Sequence, residues 1–450
     1  MPSLGELATV RPASQKPIGA AKGDRIWESS LEPWIDRRRD CVVIEPARDE
    51  LEPHASGGRG RAELTIVAVS ALIGAQAFAM STLAALYLLD LGYSIAWLGA
   101  VVSAQGAFQF LLVFVSGTLS DRFGERVVMA VGFAATLGSV LLFALSGVLW
   151  VLIAAQLLSG AARAAVNPAS QSYASRISET ERARVIGRFR AGAQVGGLAG
   201  PLLGGVLAGT VGFGAAFGVV AGLNGVALLA TMLLPDLPRK KAAPLREVVR
   251  GLPSAVASKP LMLAGILAFG VAMTPAVFFS VGIAFLRESG VAVEATGLLI
   301  TFFSAGAVAG GLGFARVIGR LGQTLTYAVG LAGIGAGLFA MAATGTMPVV
   351  LFIMPVWGVT HAFGNTLRTV LAAAHSTPEQ RGVAVGVVQS YWSLALFVMP
   401  VLLGGIATVV GLRATVAAVG VAVLLVGAAA PLLFRVLLPR PQVAVESGSP

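Results

Sequence analysis

Cysteine, histidine and charge are the scarce ingredients of this 450-residue chain. It has one cysteine, Cys41, three histidines, and 12% charged residues against 56% hydrophobic ones. A single cysteine forms no internal disulfide, which sets aside a stapled secreted scaffold. A soluble domain carries about a quarter charged residues. Half that value, with so much apolar sequence, belongs in a bilayer, and a soluble enzyme is set aside with it. The histidines, His54, His361 and His375, show no metal-ligand spacing, and no carboxylates pair inside an apolar run. A polytopic membrane enzyme therefore has little to work with. There is no phosphate-binding glycine loop, so an ATP-driven pump would need a partner. No apolar stretch of signal-peptide length follows Met1. No cofactor and no metal is expected.

What the chain has in abundance is apolar sequence in helix-length runs. Residues 1–61 form a polar head with ten Lys+Arg against ten Asp+Glu, read as a mostly disordered N-terminal extension. Within it, Ile26, Trp27, Leu31, Trp34 and Ile35 beside Arg37–Arg39 offer a surface helix, which Pro33 interrupts. From Leu64 onward, spans are expected near 64–88, 95–116, 127–146, 148–172, 184–209, 213–234, 261–285, 294–314, 325–344, 347–372, 382–409 and 413–437. Each exceeds strand length and lacks a two-residue alternation, so each reads as a helix of about 20 residues per crossing. The 56 glycines suit close helix contacts in lipid.

The net charge of +10 lies wholly in this apolar body. With the N-terminus inside, the outer loops hold only Arg287 and Arg413. The inner side holds Arg122, Arg126, Arg176, Arg182, Arg184, Arg188, Arg190 and the cluster Arg239, Lys240, Lys241, Arg246, Arg250 and Lys259. Basic residues in short loops stay cytoplasmic. The charge is thus a topology signal, and nucleic acid is not needed to explain it. The expected fold is an all-α integral membrane protein of twelve transmembrane helices with both termini cytoplasmic. It divides into bundles 62–234 and 261–438, a linker 235–260 and a tail 439–450.

The body reads as one unit written twice. A shift of 198 places Gly99 on Gly297, Arg122 on Arg320, Gly124 on Gly322 and Asp90 on Glu288. A shift of 199 places Arg182 on Arg381, Gly187 on Gly386 and Pro201 on Pro400. Two pseudo-symmetric six-helix bundles related by an axis along the membrane normal are a secondary-transporter plan, with the site between them near the midplane.

Two motifs carry a resemblance. Residues 117–126 place Gly117, Asp121, Arg122, Gly124 and Arg126 in a pattern that resembles the loop 2–3 signature of the major facilitator superfamily. Glu125 stands where that pattern has its first basic residue. Gly187, Gly196, Gly200, Pro201, Gly204 and Gly205 resemble the fifth-helix signature of its twelve-span drug or metabolite:proton antiporter branch. The resemblance covers about residues 62–438. It implies that these residues gate the conformational change. It also implies that Asp121 faces the start of span 11 near Gly382, and that spans 1, 4, 7 and 10 line a cavity. A tight turn that merely sets topology, and ordinary close packing, are the alternatives for the two motifs.

The candidate cavity residues share helix faces. Span 4 carries Gln156, Ser159, Arg163, Asn167 and Gln171; span 10 carries His361, Asn365 and Arg368; spans 1 and 7 add Gln76, Met80 and Thr274. Under the 198 shift Arg163 falls on His361 and Asn167 on Asn365. Polar groups in lipid cost several kcal/mol unless they face a wet interior. For Arg163 the competing reading is snorkelling to the inner interface; for His361 it is a hydrogen bond to a neighbouring carbonyl. Met80, Tyr87, Met273, Phe278, Trp357, Tyr391 and Trp392 are candidates for an apolar wall. The fourth-helix motif of the family begins with Arg where this chain has Gln156.

No acid lies deep in a span: beyond Glu63 they are Asp90, Asp121, Glu125, Glu179, Glu181, Asp236, Glu247, Glu288, Glu294, Glu379 and Glu446. The coupling candidates are therefore His361 or the mirrored pair Asp90 and Glu288, unless transport is uncoupled from protons. An interior with Arg and His but no acids calls for an anionic substrate. The expected function is efflux of an amphiphilic drug-like or metabolite substrate in exchange for protons. The alternatives are uptake or exchange of an organic anion or sugar-like metabolite, or a transporter-like sensor. High Ala, Gly, Val and Arg usage points to a bacterial cell membrane, and a monomer is expected.

Overall fold

The computed structural model describes residues 55–178, 181–238, 253, 256–344, 346–376 and 381–438. Most of the polar head, the 239–250 basic cluster and the tail 439–450 lie outside the described residues. The described helices belong to one compact unit, 54–450. They are α1 Ala55–Asp90, α2 Ile95–Phe123, α3 Glu125–Leu145, α4 Leu149–Arg176, α5 Arg182–Pro201, α6 Phe213–Met232, α7 Lys259–Val277, α8 Val293–Thr344, α9 Met347–Ala374, α10 Arg381–Val410, α11 Leu412–Ala428 and α12 Ala430–Leu437. Helix α1 begins at Ala55, inside the segment expected to be an extension ending at 61.

Among the described residues, ten helices are long and apolar enough to cross a membrane, or eleven when α11 and α12, bent by 51°, count as one span. The 52-residue α8 is turned at Gly322 (φ 71°, ψ 177°) into segments 293–321 and 323–344. Two helices continue through a π turn behind a proline. Leu202–Val206 follows Pro201 in α5 and leads to Leu207–Val211. Phe278–Gly282 lies three residues past Pro275 in α7 and leads to Ile283–Glu288. Proline removes a backbone donor, and a widened turn is one way the freed carbonyls are accommodated.

The repeat is written in the corners. Gly92, Gly124, Gly212, Gly290, Gly322 and Gly411 are the described residues with positive φ. They form three pairs: 92 with 290, 124 with 322, and 212 with 411, at offsets of 198, 198 and 199. A residue with a Cβ resists this region, so glycine is what lets each half turn at the same place. Gly92, Gly212, Gly290 and Gly411 mark one end of the bundle, here the Gly92 end. Gly124 and Gly322 mark the other, the Gly124 end.

Small residues let α1 and α5 touch backbone to backbone. Gly196, Gly200 and Gly204 of α5 abut Ala71, Ala75 and Ala79 of α1. Gly205 faces the other half instead. A methyl group there would sit 2.5 Å from the Gly297 Cα. Gly187 has nothing within 4 Å, so close packing does not explain its place in the motif.

Two mirrored seams join the halves toward the Gly92 end. Gly297 of α8 lies against the Pro201 carbonyl and Gly205, while Gly99 of α2 lies against the Pro400 carbonyl and Gly404. These are the same contacts under the repeat. The Val401 N–H donates to Ser103 Oγ at 2.9 Å across one seam; Thr301 Oγ1, whose nearer acceptor is the Gly297 carbonyl of its own helix at 3.0 Å, lies 3.4 Å from the Leu198 carbonyl across the other. Between the seams, Phe78 of α1 meets Phe279 after α7, ring centroids 6.2 Å apart.

At the Gly124 end several polar contacts among the described residues join helices of the same half. Glu125 is buried, accepts from Ser172 Oγ at 2.9 Å and is ion-paired with Arg176, which also donates to the Pro238 carbonyl. Arg126 donates to the Met232 carbonyl at 2.5 Å and reaches Asp236 at 3.4 Å; Tyr173 OH donates to the Pro235 carbonyl at 2.8 Å. The segment after α6 is thereby strapped to α3 and α4. Glu63 of α1 pairs with Arg184 at 3.0 Å and Arg188 at 2.7 Å on α5.

Candidate functional site

The polar faces of α4 and α9 point into the bundle, and each half builds its own cluster. In the first half, Arg163 donates through Nη2 to the Ala77 carbonyl at 2.9 Å and to Ser81 Oγ at 3.3 Å, both on α1. This bond turns Arg163 toward α1, against the snorkelling alternative. Gln76, Met80, Gln156 and Ser159 are buried nearby in sequence, and Gln156 Oε1 has no hydrogen-bond partner among the described residues. Asn167 is half-buried, and Gln171 is exposed.

In the second half, Arg368 donates through Nε to Asn365 Oδ1 at 2.9 Å and through Nη1 to Gln389 Oε1 at 3.5 Å. Its guanidinium lies over the Trp392 ring, 4.6 Å from the centroid, the geometry of a cation–π contact. His361, two turns away on α9, stands edge-on to Phe303 at 5.3 Å and to Trp392 at 6.3 Å. Its Nδ1 is buried without a partner among the described residues, so the neighbouring carbonyl that would have satisfied that nitrogen is not there. Thr274 is buried and accepts a 3.1 Å hydrogen bond from Trp357 Nε1, which occupies it in packing α7 on α9.

Aromatic rings connect these groups. The series Phe78, Phe279, Phe278, Trp357, Phe303, His361, Trp392 runs with successive centroids 5.3–6.3 Å apart, from the contact between α1 and the turn after α7 to the Arg368 guanidinium. Each ring presents an edge to the next, the favoured geometry. Neither Arg163 nor Arg368 has a carboxylate within ion-pair distance among the described residues. An unpaired charge taken from water carries an effective penalty of several kcal/mol. Neutral carbonyl, amide and ring partners offset part of it.

The remaining candidates separate from this interior. Asp90 and Glu288 are exposed at the ends of their helices, at the Gly92 end. Gly117, Asp121 and Arg122 lie near the end of α2, and Arg122 covers the Phe123 ring at 5.5 Å. The helix start near Gly382 adjoins 377–380, outside the described residues. Three residues emerge that the sequence reading did not place in a site: Ser81, Gln389 and Glu125. The 199 shift puts Arg190 on Gln389, a signal that was available. No spacing links Glu125 to Arg176. Among the described residues no three His, Cys, Asp or Glu come together to hold a metal.

Comparisons with known proteins fit this architecture. Solved structures with a similar fold include the nucleoside transporter NupG (TM-score 0.70, 14% identity, 83% of this chain and 99% of that one). They also include a bacterial homologue of the human lysosomal transporter Spinster in an inward-facing, unoccupied conformation (0.66, 16%, 84% and 98%). A third is a POT family transporter in complex with 5-aminolevulinic acid (0.70, 12%, 83% and 96%). No curated protein gives a significant sequence match. The family model for the Major Facilitator Superfamily matches residues 64–283 and again 261–449. With apolar crossing helices, repeated corners and two halves meeting along mirrored seams, this all-helical membrane protein belongs to the Major Facilitator Superfamily, a family of transporters rather than enzymes.

Proposed function

We propose that the chain is a secondary transporter that moves a small molecule by alternating access, and that the arrangement described is the one open at the Gly124 end. One observation carries this: the mirrored seams and the Phe78–Phe279 contact join the halves toward the Gly92 end, while the interior holds cations without carboxylate partners among the described residues. The Gly124 end is cytoplasmic, because Arg122, Arg126, Arg176, Arg182, Arg184, Arg188 and Arg190 lie there, against Arg287 and Arg413 at the other. The turn at Gly322 supports reading α8 as two crossings, and on that reading the proposed topology has twelve spans with both termini cytoplasmic.

The direction proposed is efflux of an amphiphilic metabolite or drug-like compound in exchange for protons, across a bacterial cell membrane, by a monomer. The glycine motif of α5 supports export, and His361, with its free buried nitrogen, is the proposed coupling group. Uptake or exchange of an organic anion is the second reading, favoured by Arg163 and Arg368. Transport into inverted vesicles under an imposed pH gradient, with charged and neutral compounds, tests this. Gradient-driven accumulation absent from vesicles lacking the chain is expected. Movement of no compound in either direction overturns it.

A further inference from the structure

We propose that the interior binds a small aromatic anion through a carboxylate or phosphate monoester group, and that Arg368, rather than Arg163, is its anchor. This rests on the transporter reading. The repeat pairs Arg163 with His361, so Arg368 lies seven residues, roughly 10 Å of helix, nearer the Gly124 end than that level. The two cations are therefore neither equivalent nor level.

They also differ in what already occupies them. Arg163 is turned onto the Ala77 carbonyl and Ser81 of α1 and braces two helices of one half. Arg368 is held by its flank. Asn365 takes Nε, Gln389 touches Nη1 at the limit of hydrogen bonding, and Trp392 fixes the plane of the guanidinium. Nη2 has no acceptor among the described residues. A guanidinium fixed in plane, with Nη2 open and Nη1 engaged only at the limit of hydrogen bonding, can turn those two nitrogens to the two oxygens of a carboxylate or phosphate.

The surroundings add sign and shape. The repeat-mate of Gln389 is Arg190, exposed on α5, so the repeat sets a second cation at a similar depth in the other half. An arriving anion thus answers two cations at this level. Trp392 lies against the guanidinium, with His361 and then Phe303 next in the ring series, and an aromatic body attached to the anion would lie along them. Asn365, Gln389 and Trp392 are positioning residues that act through Arg368.

The test is equilibrium binding to the purified full-length chain of labelled benzoate, indole-3-acetate, phenyl phosphate and a nucleoside monophosphate, each paired with its neutral amide or alcohol. At least one anion is expected to bind about tenfold or more tightly than its neutral match. Arg368→Gln is expected to remove about tenfold or more of that affinity. Arg368→Lys should retain part of it, which also shows that the site still folds, and Arg163→Gln should reduce it less than Arg368→Gln does. Neutral compounds binding as tightly, no anion binding, or a loss with Arg163→Gln that exceeds the loss with Arg368→Gln overturns the proposal. If wild-type vesicles carry a neutral member without preferring any anion, this site is wrong and the transporter reading stands. If they carry nothing, that reading fails as well.

Discussion

Adding one methyl group at Gly297 should change which end of the protein is closed. The Cβ of an alanine there would lie 2.5 Å from the Pro201 carbonyl oxygen and 2.9 Å from the Gly205 Cα. That is roughly 0.9 Å short of ordinary contact. Both obstacles are backbone, so no side chain can swing aside, and α5 and α8 must separate. Overpacking of this kind costs about 1–3 kcal/mol. The higher helix propensity of alanine, up to about 1 kcal/mol over glycine, is gained whichever end is closed and drops out of the balance. The closed seam should therefore lose roughly 5- to 150-fold in population relative to the alternative. The assay is a spin-label distance between Leu91 and Ser289, two exposed positions at the Gly92 end, introduced as cysteines with Cys41 replaced by serine. A longer-distance population should appear in Gly297→Ala and in its repeat-mate Gly99→Ala. The double variant should do less than the sum, because an opened seam no longer resists the second methyl. Gly218, with nothing within 4 Å, is the control. If Gly297→Ala moves the distances no more than Gly218→Ala, the seams do not set the conformational balance.

Other expectations follow from the same geometry. Glu125→Gln strands Arg176 in a largely buried site and should cost about 3 kcal/mol in thermal or denaturant unfolding, with much of it recovered in the double variant Glu125→Gln/Arg176→Gln. Glu63→Gln breaks contacts to half-exposed arginines and should cost less than about 1 kcal/mol; equal losses at Glu63 and Glu125 would mean that burial is not what matters. Thr274→Val leaves the Trp357 indole N–H without its acceptor and should cost about 1–3 kcal/mol. Gly124→Ala and Gly322→Ala force alanine to φ near 88° and 71° and should each cost about 1–3 kcal/mol, measured as lowered unfolding temperatures.

The helix-length runs were legible because they depend on apolar length alone; of the six glycines where φ turns positive, the repeat in the sequence marks only Gly124 and Gly322. The doubling was legible too, since the pairs 99/297 and 201/400 sit in matching contacts and 124/322 share a positive φ. Residues that meet across the bundle were harder. Arg163 was read as facing a cavity or snorkelling, yet its hydrogen bonds are to Ala77 and Ser81, 86 and 82 residues away. A main-chain acceptor leaves no mark in sequence. Glu125 read as a lapse from a basic pattern, whereas the structure gives its carboxylate to Arg176. Gly187 fits the motif by spacing and has no close neighbour, because periodicity predicts a face and not what covers it.

The two seams are alike in backbone but not in chemistry. Glu294 lies where a methyl on Gly209 would meet its Oε2, at 2.5 Å, and the residue that mirrors Glu294 in the first half is Ala96. Salt arriving at that surface therefore encounters a carboxylate beside one doorpost and a plain methyl beside the other. A change of medium that loosens the doorway would pull on a single hinge line, so the halves would yield with a twist instead of parting evenly.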